Sequence, residues 1–227
     1  LSDSLHPVGT LDWDARYAAE AQLWGPGPNQ FARARLASAE PGLAVDLACG
    51  NGRNAVWLAR RGWRVIGVDL SSVALAQAAE RAAAARVSVD WQHGDVVGWT
   101  PPEPVDLVLV AYLHLPVAEL VAMLRAAAGH LKPGGRLLYI GHARTNLTRG
   151  VGGPSDPDVL SEITELAAAA DGLRVRELAH LNRVTEQGTA IDIVLDASPW
   201  PSESDGESDH LRCASDPHPG QTRAGGR

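Results

Sequence analysis

Short apolar runs alternate with amphipathic stretches along most of the chain. Leu43-Ala44-Val45 is apolar without alternation, which suits a strand buried on both faces. Residues 53–61 carry good helix formers and stop at Gly62, a residue suited to the position just past a helix. Arg64-Val65-Ile66-Gly67-Val68-Asp69 predicts a second buried strand that ends in a carboxylate. Ser71 or Ser72 can cap the next helix, whose Leu75, Ala78, Ala79 and Ala82 share one face. Residues 87–91 and 105–110 predict a third and a fourth strand. Pro116 opens a helix with a stripe of Val117, Leu120, Val121, Leu124 and Ala128. Leu131-Lys132-Pro133-Gly134-Gly135 stops that helix and turns into a fifth strand over 136–140.

This alternation predicts an α/β fold: a parallel sheet with right-handed crossovers and helices on both faces. A long loop over 141–156 is followed by a helix over 157–170 that ends at Gly172. Two closing strands, near 173–184 and 189–197, are so close in sequence that they should pair as an antiparallel hairpin. From Ser198 onward the chain is poor in apolar residues and should be disordered, and no internal repeat is visible.

Composition narrows the classes. A 45% apolar content is ordinary for a globular protein, and the formal charge of −7 argues against a nucleic-acid surface. No apolar run reaches about 18 residues, so no membrane partner is expected. Leu1-Ser2-Asp3-Ser4 lacks the features of a signal peptide, and the two cysteines, Cys49 and Cys213, sit in unrelated settings; a cytoplasmic location is expected. His210, Cys213 and His218 have no zinc spacing, and no metal is expected.

The chemistry concentrates at the C-terminal ends of the strands, where open parallel sheets bind ligands. Asp46, Asp69 and Asp95 stand there, and Gly50 and Gly52 let the backbone approach a ligand closely. Asp69 follows the glycine turn by about 20 residues, the spacing at which an acid meets ribose hydroxyls. Its carboxylate is expected to serve the ligand rather than the core. Asp46 at the mouth of the turn suits an ammonium group and would repel a pyrophosphate, and Asp95 can accept from an adenine amino group. An ammonium, a ribose and an adenine describe S-adenosyl-L-methionine. A nicotinamide-dependent oxidoreductase and a catalytically silent S-adenosylmethionine-binding module stand as alternatives.

"VDLACGNGRNAVWLA", "VIGVDLS", "HGDV", "VDLVLVAYLHLP" and "LKPGG" resemble the ordered motifs of class I S-adenosylmethionine-dependent methyltransferases. "CGNGRNAVWLA", "WDARY" and "LWGPGPN" are similar to the branch that contains tellurite-resistance methyltransferases. The resemblance covers 12–197 and implies a Rossmann-like methyltransferase fold: a seven-stranded, mostly parallel sheet of order 3-2-1-4-5-7-6 with strand 7 antiparallel. It divides the chain into an N-terminal helical cap (1–40), a cofactor-binding methyltransferase domain (41–197) and a disordered tail (198–227).

By position, the resemblance implies that Asp46 and the Gly50 and Gly52 backbones hold the methionine end of the cofactor, with Ala48 and Asn54 also among the cofactor-binding residues and the side chains of Arg53 and Asn54 bracing the turn. Ala48 stands where the family usually has glycine, which is compatible with a negative φ. Asp69 would take the ribose, Leu70 would pack on adenine, Asp95 and the Val96 amide would read it, and Ala111 would line the space beside the sulfonium. The acceptor, expected to be a small molecule, would meet Trp13, Arg16, Tyr17 and Trp24 of the cap. Tyr112 after strand four, and Arg144 and Asn146 after strand five, would complete its walls. His114 and His142 are the candidate catalytic bases. The segment 12–29 is expected to act as a lid, with the loop after strand five as the opposite wall. A monomer or homodimer is expected.

Overall fold

The structure is a computed structural model that describes residues 12–19, 25 and 27–201. Seven strands form one sheet in the order β3-β2-β1-β4-β5-β7-β6. The first five are β1 (Leu43–Leu47), β2 (Arg64–Asp69), β3 (Asp90–His93), β4 (Val105–Ala111) and β5 (Leu131–His142), all paired in parallel. The hairpin of β6 (Arg174–Thr185) and β7 (Gly188–Ser198) is antiparallel, and β7 enters the sheet antiparallel to β5. The expected fold class and strand order are those found.

The pleat sorts the apolar residues into two cores. Val45, Leu47, Val108, Val110, Leu137 and Tyr139 point to one side, under α5 (Val117–Ala128) and α7 (Ile163–Ala169). Their neighbours Ala44, Leu107, Leu109, Leu138 and Ile140 point to the other, under α2 (Gln30–Leu36) and α3 (Arg53–Ala59). Asp46, two residues beyond Ala44, shares this second face. α4 (Ser72–Ala85) packs beside α3, and α1 (Trp13–Ala19) packs on α4.

Several boundaries differ from the sequence pattern. β3 lies at 90–93 rather than 87–91; as the edge strand it bonds only to β2, so its residues need not be apolar. The "LKPGG" motif lies within β5, where a register shift opposite Val105 and Leu107 absorbs Gly134 at φ 74°. The helix expected over 157–170 is a 3₁₀ turn (Pro157–Val159) followed by α7, whose start is set by a capping box between Glu162 and Glu165. A short α6 (Asn146–Arg149) interrupts the loop after β5. β7 runs through Ser198, and the expected tail otherwise lies, from 202 on, outside the described residues.

The second helix of the expected cap is part of the core. Asn29 caps α2, its Oδ1 accepting from the Phe31 and Ala32 amides at 2.8 and 3.2 Å. Ala32 and Leu36 are fully buried against the sheet. Arg35 ties the helix to β6 through a two-pronged pair with Glu177 at 2.8 and 2.6 Å. Among the described residues of that cap, α1 is the helix that packs on α4 rather than on the sheet. Leu36→Ala should therefore cost about 2–5 kcal/mol in urea unfolding, the range for a buried leucine; a loss below about 1 kcal/mol would show that α2 is a detachable cap.

Candidate functional site

The site is built on the turn between β1 and α3. Ala48, Gly50 and Gly52 all take left-handed backbone, at φ 55°, 53° and 74°. The alternating left-handed residues fold the chain back on itself above the end of β1. A Cβ on Gly50 would lie 2.3 Å from the Tyr17 hydroxyl, and one on Gly52 would lie 2.6 Å from Trp91. Both glycines are thus required by φ and by close approach. Ala48 is not at negative φ, contrary to the sequence expectation; its methyl group carries a strain of about 1–2 kcal/mol.

Asp69 fixes this turn. Its Oδ2 accepts the Gly50 amide at 2.7 Å and its Oδ1 the Ser71 amide at 2.8 Å. The Ser71 hydroxyl donates to Asp14 Oδ1 at 2.6 Å and accepts the Ala74 amide at 3.0 Å, so one serine caps α4 and anchors α1. Asp14 also takes the Val73 amide and the Ser72 hydroxyl, both at 3.2 Å, and Gln77 donates to the Tyr17 carbonyl at 2.8 Å. Asp69 therefore holds the turn and the start of α4 as well as lining the cleft, which corrects the expectation that it serves the ligand rather than the core. Each of its oxygens keeps acceptor capacity for a hydroxyl. Burial raises its pKa above the ordinary carboxylate value, opposed by the two amides.

Asp46 is 1% exposed, and neither oxygen closes a hydrogen bond of ordinary geometry with the described residues, although the Ala55 amide acts on the carboxylate. Burial pushes its carboxyl up to about 7, partly offset by the Ala55 amide and the Arg53 charge and reinforced by Asp69. A pKa raised by folding stabilises the fold fully below the unfolded value and loses that contribution as pH rises through about 7. An ionised Asp46 is thus costly unless a cation joins it.

Above the turn lies an open cleft. Its walls include Ala48, Gly50, Asn54, Asp69, Leu70, Val96 and Ala111 of the expected cofactor residues. They also include Trp13, Tyr17, Tyr112 and His114 of the expected acceptor and catalytic residues. Leu70 is 52% exposed, an apolar side chain presented to the cleft. Asn54 has its Oδ1 engaged by the Asn29 amide at 2.8 Å, so it braces α2 against the turn.

Other expected residues stand elsewhere. Gly52 lies behind the wall, and Asp95 lies outside it with Oδ1 accepting the Val97 amide at 2.9 Å. Arg144 pairs with Glu165 at 2.7 Å, and Asn146 bonds the Gly152 carbonyl and the Ile191 amide at 2.8 and 2.6 Å. The loop after β5 is therefore not the wall opposite α1; the loop after β4, with Tyr112, Leu113 and His114, takes that place. Arg16 lies over the Trp13 ring at 5.3 Å rather than in the wall. Trp24 lies outside the described residues.

Three rings stand beside the acceptor end. His142 lies between Tyr112, centroids 4.9 Å apart, and His114, stacked at 5.9 Å. Behind them is Asp192, fully buried on β7. Its Oδ2 accepts from the Tyr112 hydroxyl at 2.8 Å and from Arg183 Nε at 2.6 Å, and its Oδ1 lies 3.0 Å from His142 Nδ1. These partners keep Asp192 ionised, below the ordinary range despite its burial. Tyr112 pays for its place with a left-handed φ of 61°. His114 Nε2 is buried with no hydrogen-bond partner among the described residues, and burial, then His142 and Arg16, lower its pKa to about 4. It is a neutral imidazole at neutral pH.

Sequence reasoning missed Asp14 and Asp192, and gave Arg53, which lines the cleft, only a bracing role. A charged residue inside the apolar run 190–195 was the available signal for Asp192. No group of side chains that could hold a metal ion occurs among the described residues, and no helix there is long and apolar enough to cross a membrane. Asp69→Ala should lower cofactor affinity and also destabilise the unliganded protein, by about 1–3 kcal/mol for each amide left unpaired. Urea unfolding and calorimetry read the two losses separately, and an unchanged unfolding midpoint would make the carboxylate purely ligand-facing.

Residues 44–135 match a family described as a methyltransferase domain. The trans-aconitate 2-methyltransferase of Azoarcus sp. (strain BH72) is 34% identical over 107 residues, 46% of this chain and 40% of that protein. The chain thus spans well under half the length of this curated relative. Among solved structures, TehB from Haemophilus influenzae superposes with a TM-score of 0.66 at 16% identity, over 83% of this chain and 67% of that one. N-methyltransferase NodS from Bradyrhizobium japonicum WM9, in complex with S-adenosyl-L-homocysteine, gives 0.63 at 20% identity, over 82% and 96%. Residues 44–135 are thus similar to a methyltransferase domain, and they lie in a seven-stranded sheet of order β3-β2-β1-β4-β5-β7-β6.

Proposed function

We propose that the protein transfers the methyl group of S-adenosylmethionine to a small-molecule acceptor held against Trp13, Tyr17, Tyr112 and His114. The observation that carries this reading is a cleft above the glycine turn whose walls include Asp69 and Leu70, with the Asp46 carboxylate buried at the end of the strand that leads into the turn. The residues fit the cofactor. Asp46 would receive its ammonium, Asp69 its ribose hydroxyls, and Leu70 with Val96 its adenine. The cofactor supplies an electrophilic methyl group on a sulfonium whose departure leaves a neutral thioether, so the protein needs no acid for the leaving group.

What the chain itself contributes is placement. Tyr112 is held by Asp192, and His114 is backed by His142, so the acceptor wall is stiff. Orientation of this kind can supply roughly 7–11 kcal/mol of the barrier. His114, with a pKa of about 4, is poorly matched to storing a proton at neutral pH, and its orphan Nε2 instead orients the acceptor by a hydrogen bond. His142 acts behind the wall, through the rings on either side of it. α1 covers the cleft and keeps water from the reacting centre.

The name of the Azoarcus relative supports a small acceptor. The "WDARY" and "CGNGRNAVWLA" motifs support placing the chain near the tellurite-resistance branch. The comparisons lend no support to a nicotinamide enzyme. Calorimetry should show S-adenosylmethionine binding in the micromolar range or tighter, with no response to NAD. Incubation with labelled methyl donor and a metabolite extract should move the label into a small molecule. NAD binding without a response to S-adenosylmethionine would sink the proposal, and so would label found only in protein or nucleic acid.

A further inference from the structure

Among the described residues, the acceptor end of the cleft presents no strong base to a ligand. Asp192, the acid behind the wall, is fully buried, and its oxygens already meet Tyr112, Arg183 and His142. Asp69 in the wall is engaged by the Gly50 and Ser71 amides. His142 stands outside the wall and faces Asp192, its Nδ1 3.0 Å from Oδ1. Its ring lies 6° from parallel to that of His114, with centroids 5.9 Å apart. Ring nitrogens bond in the plane of the ring, so two stacked imidazoles do not pass a proton directly. Tyr112 donates its hydroxyl to Asp192, and burial raises its pKa. His114 lines the cleft, but with a pKa of about 4 a proton on it at pH 7 is disfavoured by about a thousandfold. An acceptor that must lose a proton, such as an alcohol or an ammonium, is poorly served here. One that arrives as an anion needs no base.

The surroundings of His114 point the same way. Burial opposes a proton on the ring, and His142 and Arg16 oppose it too. Charges that oppose a cation favour an anion in the same place. The buried Nε2 has no hydrogen-bond partner among the described residues, and in the tautomer that carries its proton there it can donate to an anionic oxygen. We propose that the acceptor is a small carboxylic acid bound as its carboxylate, one oxygen accepting from His114 Nε2–H while the other attacks the methyl group. This rests on the methyltransferase reading made above. The attacking oxygen bonds to the methyl carbon as the carbon–sulfur bond breaks, and sulfur keeps the bonding pair. The products are a neutral methyl ester and a neutral thioether, and no proton moves. Opposite charges cancel in this step, which a cleft that excludes water favours. A thiolate would also need no base, but its sulfur is a weak acceptor for the Nε2–H donor.

Two measurements on the full chain test this, one of binding and one of transfer. In the first, the ring NMR signals of His114 are followed in the protein saturated with S-adenosylhomocysteine while benzoate, benzamide or benzylamine is added. Nε2 should carry the proton, and benzoate should bind at least about tenfold more tightly than its neutral amide, with benzylamine weakest. His114→Phe should erase that preference and leave S-adenosylhomocysteine affinity unchanged. His114→Asn, which keeps an N–H donor, should restore part of it. The wild-type comparison needs no variant, so it stands even if a substitution impairs folding. Equal wild-type affinity for benzoate and benzamide would overturn the proposal, as would a His114→Phe protein that still prefers benzoate. In the second, protein is incubated with labelled methyl donor and a metabolite extract. The labelled product should release its label as methanol in mild alkali, the behaviour of a methyl ester. Label in a product stable to alkali would overturn the carboxylate acceptor and leave the methyltransferase reading intact. Label in no small molecule would overturn both.

Discussion

Two hydrogen bonds to one carboxylate organise the site. Asp69 receives the Gly50 amide from the β1–α3 turn and the Ser71 amide from the start of α4, so the ends of β1 and β2 are locked in one geometry. From Ser71 the constraint passes to Asp14, and from Asp14 to α1. α1 then brings the Tyr17 ring over Gly50, where any side chain would collide with it. Turn, helix cap and cleft cover are therefore one linked arrangement. Its desolvated carboxylate is held by amides that exist in this geometry only when the turn is folded.

The cleft divides its electrostatics by position. Beside the glycine turn the Asp46 carboxylate is buried, and burial disfavours its charged form. At the acceptor end the charges are already satisfied within the protein: Asp192 takes up Arg183, Tyr112 and His142, and what faces the cleft is phenol, indole and neutral imidazole. The first end suits a cation, and the second presents shape and hydrogen bonds. The strain at Ala48 and Tyr112 falls on the two loops that join these ends, where other interactions fix the backbone.

Much of the fold is legible in the chain, because burial on both faces leaves an apolar signature. β1, β2, β4 and the closing hairpin follow from continuous apolar runs and the short turn at 186–187. β3 is displaced because an edge strand carries no such signature, and the place of "LKPGG" inside β5 depends on a bulge set by pairing with β4. The residues of the β1–α3 turn and the strand ends that line the cleft were legible because they lie together in sequence or at strand ends, although Gly52 and Asp95 stand outside the wall. The acceptor side was only partly so. Asp192 gathers partners from three other segments, which no local pattern reveals, and neither Ala48 nor Tyr112 is a residue type that announces a positive φ. Arg144 and Asn146 looked equally plausible in sequence, but their partners Glu165 and Ile191 meet them only through the fold.

The account turns on the buried Asp46 carboxylate meeting the cofactor's ammonium, and proton linkage tests that most directly. With its pKa near 7 in the unliganded protein, Asp46 is largely protonated below that pH and must release its proton when the ammonium binds. Calorimetry of S-adenosylhomocysteine in buffers of differing ionisation enthalpy should show proton release at about pH 6. Affinity should rise by up to about tenfold per pH unit toward 7, then fall as the ligand's own ammonium titrates near about 8. Asp46→Asn should flatten most of the acid limb, leaving the smaller share of Asp69. An affinity that stays level between about pH 5 and 7, with no proton released, would contradict the account.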